Sequence, residues 1–416
     1  MLYERWTKIS AERCNETALR DFASGKRWTF GELFFEGESR SASGDFIFPQ
    51  GHSPEFIFQL LAAWRRNKIV CPPEAGQSPP EISEPPKNCV HLKSTSATGG
   101  AARFVAFTAE QLMADAENIV ATMGLRADWP NLGVISLAHS YGFSNLILSL
   151  LLHGVPLILA PAPLPEIIRR AAGIEKFLTL AAVPAMWRAW HEAGAIPPNI
   201  KLAISAGAPL PVDLEREIFK SREIKIHNFL GSSECGGIAY DATDLPRTDA
   251  ACVGAPMHNV NLTINGNGCL VVRSRAVAET YWPEKSDSLG GGIFQTSDLA
   301  ELKDGKVLLR GRLNDLINVA GRKISPETIE RALLSNPKVR ECLVFGLPSR
   351  DSERTEIIVA VIVAGTTENE LKKFLLETLP AWQVPREWKF VESLSVNARG
   401  KISRADWRAL FIRERT

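Results

Sequence analysis

The stretch FLTLAAVPAMWRAWHEAGAIPPNIKLAIS, Phe177–Ser205, decides the fold class. Phe177–Val183 and Lys201–Ser205 are apolar, β-branched runs of strand length, and a helical period fills the gap between them. The flanking sequence repeats the pattern. Strands are expected at Val134–Leu137, Val155–Ala160 and Lys225–Phe229, with helices such as Pro163–Ala172 and Pro211–Lys220 between them. Such alternation folds as β-α units around a largely parallel sheet, so the class is α/β. Asn145–Ala160 is the most hydrophobic stretch, but His153, Gly154 and Pro156 interrupt it. It reads as a buried helix, a glycine turn and a buried strand, short of the roughly 20 apolar residues of a membrane span.

On the carboxyl side the pattern changes. Between about Gly254 and Arg312 short strands alternate with Gly and Asn turns; Leu270–Arg273 and Lys306–Arg310 are the clearest. A third region follows. Ser325-Pro326 is a helix start, with a capping hydroxyl before proline at the first helical position. Strands at Glu341–Phe345 and Ile357–Val363 and a helix at Glu368–Thr378 make this an α+β unit. The 416 residues thus divide into a large domain, 1–313, with a small β subdomain at about 254–313, and a small domain, 314–416.

Composition excludes several functions. With 48 basic and 47 acidic residues the formal charge is +1, which gives no footprint for nucleic acid or an anionic membrane surface. The cysteines at 14, 71, 89, 235, 252, 269 and 342 are odd in number and form no C-x-x-C pair, so reduced thiols are expected. The opening residues Met1–Lys8 carry no apolar run, so no secretory signal and a cytoplasmic location are expected. Oligomeric state is left open.

Several segments carry chemistry. Ser94-Thr-Ser-Ala-Thr-Gly-Gly-Ala-Ala-Arg103 exposes backbone N–H groups and hydroxyls suited to phosphate oxygens, with Arg103 as a counter-charge. It lacks the G-K-[ST] ending of a Walker loop. Asn228-Phe-Leu-Gly-Ser-Ser-Glu-Cys-Gly-Gly237 ends a strand in glycine, two hydroxyls and a carboxylate fit for Mg2+. Thr296-Ser-Asp298 and Gly311-Arg312 could hold a ribose diol, and Arg399-Gly-Lys-Ile-Ser-Arg404 places a lysine on a glycine turn. Singly each has an ordinary reading: a flexible loop, a strand turn, an exposed ion pair, a basic tail.

In this order the segments resemble the acyl/aryl adenylate-forming superfamily, which includes acyl-CoA synthetases, nonribosomal adenylation domains and luciferases. Thr95–Arg103 is similar to its T-S-G-T-T-G-x-P-K loop, and Leu230-Gly-Ser-Ser-Glu234 to Y-G-x-T-E. Ser205-Ala-Gly-Ala-Pro-Leu210 resembles G-A-P-L, Thr296-Ser-Asp298 resembles T-G-D, and Gly400-Lys401 the late G-K. His139-Ser-Tyr-Gly142 looks like the segment lining the acyl pocket.

The resemblance implies an enzyme that activates a small-molecule carboxylic acid with ATP and Mg2+, releases pyrophosphate, and transfers the acyl group to a thiol. That thiol is CoA, or alternatively the phosphopantetheine of an acyl carrier protein; a nucleotide-binding homologue without turnover is the third possibility. By resemblance Thr95, Ser96, Thr98, Gly99 and Gly100 hold the β- and γ-phosphates, Ser233 bonds the α-phosphate, and Arg103, Gly231 and Ser232 belong to the same nucleotide site. Glu234 binds the metal, Asp298 and Arg312 bind the ribose, and Lys401 bridges carboxylate and α-phosphate. His139, Tyr141, Gly142, Ser205, Ala206 and Gly207 line the acid pocket. The smaller domain is implied to be a mobile lid with its hinge at Asn314.

The chain departs from the pattern in places. The phosphate loop lacks one hydroxyl and has Arg103 where relatives have lysine, keeping the charge on a bulkier group. Leu230 stands where relatives stack an aromatic on adenine, and Phe229 points to the opposite strand face. Only about forty residues separate Ser53-Pro-Glu55 from the phosphate loop, so a shortened amino-terminal lobe is expected.

Overall fold

The computed structural model describes residues 1–74, 76–82, 84–94, 103–349, 356–394 and 403–415. The chain forms two compact units. The first contains Met1–Thr263, Val271–Thr296 and Leu302–Val307; the second contains Ile264–Leu270, Ser297–Glu301 and Leu308–Thr416.

The centre of the first unit is the parallel run anticipated from Phe177–Ser205. Its strands lie side by side in the order Ile226–Ser232, Ile200–Ser205, Leu178–Ala182, Asn131–Gly133, Leu157–Leu159 and Thr17–Asp21. Leu178–Ala182 is buried at every position, as expected of a strand covered on both faces. Parallel register brings the carboxyl ends together: Ser205 lies beside Ala182 on one side and Asn228 on the other. That edge is where open α/β sheets place ligands.

Most expected elements form within a residue or two, including the helices Pro165–Ala172 and Val212–Arg222. Val134–Leu137 does not. The strand there is Asn131–Gly133, and the apolar residues after it are buried but run unpaired toward His139. The Asn145–Ala160 stretch has the expected helix, turn and strand, but the helix opens with a π-helical segment, Phe143–Leu148, before Ser149–His153. A second, 5-stranded sheet has the order Thr280–Trp282, Phe104–Phe107, His91–Ser94, Ile69–Val70, Phe46–Ile47. The helix Ala109–Met123, started by a reciprocal Thr108–Gln111 capping box and stopped at Gly124, packs against the strand Gly236–Tyr240 and the π-helical segment.

In the second unit Val339–Pro348, Glu356–Ala364 and Glu387–Phe390 form a sheet with a helix layer on each face. Strand alternation sends Val344, Ile358 and Ile362 toward Ile329, Leu333, Leu371 and Leu375, and Leu343, Phe345 and Val361 toward Trp407. The helix Pro326–Leu334 begins where Ser325-Pro326 predicts. The Ser325 hydroxyl, however, makes no cap bond; it donates to the Glu327 carboxylate at 2.5 Å. Arg404 pins the start of the last helix. Its guanidinium pairs with Asp315, Glu327 and Glu330 at 2.9, 2.8 and 2.7 Å and donates to the Val344 carbonyl. No helix among the described residues is long and apolar enough to cross a membrane.

Candidate functional site

The strand Ile226–Ser232 leaves the parallel run, turns at Ser233-Glu234-Cys235 and returns as Gly236–Tyr240, with Ser232 opposite Gly236. Gly236 has φ +66, and a Cβ there would lie 1.9 Å from Oδ1 of Asp115, so only glycine fits. Asp115 is buried on the helix Ala109–Met123. It accepts from the Gly237 N–H at 3.2 Å and from the Ser144 hydroxyl at 2.6 Å, which fixes the returning strand from behind.

The hairpin tip is held on all sides. The Glu234 N–H donates to Ser232 Oγ, and its carbonyl accepts from the Ala278 N–H at 2.8 Å. Carboxylate oxygen Oε1 accepts from the Tyr281 hydroxyl at 3.0 Å. Burial, then the neighbouring Glu234 charge, pushes the Tyr281 phenol well above its usual range, so it stays a donor. The Arg103 guanidinium lies over the Tyr281 ring, 3.5 Å from its centroid. The Ser140 hydroxyl donates to Ser233 Oγ at 3.1 Å. Arg103, Ser233 and Glu234 are thereby brought together at the carboxyl end of the sheet.

The expected acid-pocket residues stand on adjacent strand ends. His139 begins the short helix Ser140–Gly142, its ring nitrogen Nδ1 accepting from the Tyr141 N–H. Tyr141 is buried, and its hydroxyl reaches the carbonyls of Ala182 and Ile204 at 3.5 and 3.4 Å, so its polar end braces two strand ends. A Cβ on Gly142 would meet the Ser136 carbonyl oxygen at 2.0 Å. Ser205 and Ala206 are buried, and Gly207 turns the chain with φ +86. Phe229 is buried in a tilted pair with Tyr141 at 5.9 Å, while Leu230, on the other strand face, is half-buried.

In the second unit Asp298, on the strand Ile293–Lys303, accepts from Arg312 Nε at 2.9 Å. The Arg312 side chain is 61% exposed, so the pair adds little stability; it orients both groups. Asn314 sits in the 3-10 turn Leu313–Asp315. Thr95, Ser96, Thr98, Gly99, Gly100 and Lys401 lie outside the described residues.

The sequence model of the AMP-binding enzyme family matches residues 60–282, the stretch that builds this hairpin and every strand of the parallel run except Thr17–Asp21. The chain belongs to the AMP-binding enzyme family. The model of the AMP-binding enzyme C-terminal domain matches residues 328–401. The resemblance read from the motifs is borne out.

Among curated relatives, an uncharacterized acyl-CoA ligase, YhfT, of Bacillus subtilis is 28% identical over 56% of this chain and 50% of its own length. The long-chain-fatty-acid–CoA ligase FadD13 of Mycobacterium tuberculosis is 26% identical over 74% of this chain and 65% of its own. This AMP-binding enzyme thus spans between half and two thirds of the length of these relatives. Among solved structures, ATP-bound MatB from Rhodopseudomonas palustris superposes with a TM-score of 0.86 at 17% identity, covering 99% of both chains. That likeness supports the fold.

Whether a divalent cation fits this AMP-binding enzyme depends on Glu234. Among the described residues, its second oxygen, Oε2, accepts no hydrogen bond. No group of three or more His, Cys, Asp or Glu side chains among them is placed to hold a metal. One open carboxylate oxygen suits Mg2+, which is commonly held by one or two carboxylates and the phosphates of its nucleotide. Motif reading passed over Tyr281 and Asp115, which lie 47 and 119 residues from Glu234 in the chain. The only local trace of Tyr281 is a β-prone Thr280-Tyr-Trp282 run.

Proposed function

We propose that this AMP-binding enzyme is an acid–thiol ligase: it joins a carboxylic acid to the α-phosphate of ATP, releases pyrophosphate, and passes the acyl group to the thiol of CoA. The observation that carries this reading is the Glu234 hairpin. It presents a carboxylate anchored through Oε1 and open at Oε2, beside Ser233 and Arg103, at the carboxyl ends of a parallel sheet.

In the first half-reaction a carboxylate oxygen attacks the α-phosphorus, the bond to the bridging oxygen breaks, and pyrophosphate departs. Two anions must approach each other, so charge neutralisation is the main catalytic demand. Arg103 and the loop Thr95–Gly100 serve the β- and γ-phosphates, and Gly231, Ser232 and Ser233 the α-phosphate. Asp298 and Arg312 hold the ribose hydroxyls, and Lys401 meets the attacking carboxylate. Glu234 would hold Mg2+, which supplies charge neutralisation on the phosphates when bound. In the second half-reaction the thiol sulfur attacks the acyl carbon, its proton passes to solvent, and AMP leaves with an oxygen that came from the acid. The domain that follows Asn314 acts as the lid between the two steps. His139, Gly142, Ser205, Ala206 and Gly207 shape the acid pocket. No cation among them calls for a dicarboxylate. The cytoplasm supplies ATP and CoA and keeps the free cysteines reduced.

Pyrophosphate release over a panel of carboxylic acids tests the reading. Acid-dependent release is expected, followed by acyl-CoA on addition of CoA; transfer to a carrier protein in place of CoA would move the acceptor to the alternative thiol. AMP binding without release for any acid would overturn the assignment.

A further inference from the structure

Lys93 has no part in the motifs, yet it is the buried cation nearest in sequence to the phosphate loop. It lies on the strand His91–Ser94, two residues before Thr95, and is 2% exposed. Its ammonium has no hydrogen-bond partner among the described residues and rests over the Phe107 ring, 4.4 Å from the centroid. An ammonium removed from water without a hydrogen-bond partner is costly. Burial accordingly pulls the Lys93 pKa down, while the negative charges of Asp115 and Glu234 oppose that shift.

Register shows where this cation faces. Lys93 pairs with Val105, and Val105 pairs on its other side with Tyr281. Directly opposed residues share a sheet face, so Lys93 and Tyr281 stand on the face that carries Arg103 over the Tyr281 ring and meets Glu234. Neither nearby anion bonds it: Asp115 accepts from Gly237 and Ser144, Glu234 Oε1 accepts from Tyr281, and Glu234 Oε2 accepts from no described residue. What remains is a desolvated charge beside the hairpin with its donors unused.

We propose that Lys93 is a second cation of the nucleotide site, and that the β- and γ-phosphates of a nucleoside triphosphate complete its missing hydrogen bonds. The proposal rests on the nucleotide reading given above. It also accounts for a departure in the phosphate loop. Where relatives have a lysine this chain has Arg103, which is stacked on Tyr281, and Lys93 adds a compact ammonium from the adjoining strand.

The test is equilibrium titration of ATP and AMP into the full chain, with Mg2+ and again in chelator, for wild type and Lys93→Met. The expected result is an ATP Kd raised at least about tenfold, with the AMP Kd within about twofold of wild type, because a charged hydrogen bond is lost only to the outer phosphates. Equal weakening of both nucleotides would make Lys93 a purely structural residue and overturn the proposal, as would unchanged ATP binding. Wild type that binds neither nucleotide would overturn the nucleotide reading itself. Should Lys93→Met fail to fold by circular dichroism, the same ATP-to-AMP ratio is read in Lys93→Met/Asp115→Asn against Asp115→Asn. That pair removes the cation together with an anion it faces.

Discussion

Lys401→Ala is expected to lower acid-dependent pyrophosphate release by about a thousandfold, while thioester formation from supplied acyl-adenylate stays within about threefold of wild type. The asymmetry follows from charge. Adenylation drives a carboxylate onto a polyphosphate, so a cation between them contributes most at the transition state. Thioester formation starts from an adenylate whose acyl carbon is already activated, and the approaching thiol brings far less charge. Arg404, three residues on and the first residue of the last helix, is held by Asp315, Glu327, Glu330 and the Val344 carbonyl. Separate assays of the two half-reactions check the prediction. Equal loss in both would remove the special role of Lys401 in the first.

Glu215→Ala is expected to destabilise the first unit by about 3–5 kcal/mol, read as a lower urea midpoint. Glu215 is 0% exposed on the helix Val212–Arg222 and bonds Lys225, Arg247 Nε at 2.8 Å and the Arg247 N–H at 3.0 Å. Its removal leaves two buried cations short of an anion, although Asp241 still pairs with Lys225 at 2.7 Å. Arg247 also donates to the Leu210 carbonyl at 2.7 Å, so the network anchors the end of the Ser205–Leu210 segment in the candidate pocket. Glu217→Ala on the same helix is the control. Its carboxylate is 63% exposed and, among the described residues, pairs only with His191 at 3.7 Å, so a change below about 1 kcal/mol is expected. A similar loss in both variants would show that the helix, rather than the charge network, is the source.

The central sheet was legible because its strands are short apolar runs separated by helical periods, a signal carried by neighbouring residues. Val134–Leu137 shows the limit of that signal. A buried run that pairs with no strand has the same composition as one that does, and the true strand, Asn131–Gly133, contains Asn and Gly. The π-helical turn at Phe143–Leu148 has no distinct apolar period either. The hairpin was legible for the opposite reason: glycine, hydroxyl and carboxylate at fixed spacing have a chemical meaning that apolar residues lack. Its supports were not. Asp115 is one acid among several on an ordinary amphipathic helix, and Tyr281 reaches Glu234 through tertiary folding. Lys93 did leave a trace, a charge inside the otherwise strand-like Val90–Ser94, but only the register with Val105 and Tyr281 shows what it faces.

The adenylate route itself is tested most directly by the fate of the acid's oxygen. The protein is incubated with ATP, Mg2+, CoA and an accepted acid labelled with 18O in its carboxylate, and the products are weighed by mass spectrometry. An oxygen of the acid that bonds to the α-phosphorus must leave with the nucleotide, so AMP carrying one 18O is the predicted result. Unlabelled AMP, or label recovered in inorganic phosphate alongside ADP, would contradict acyl-adenylate formation.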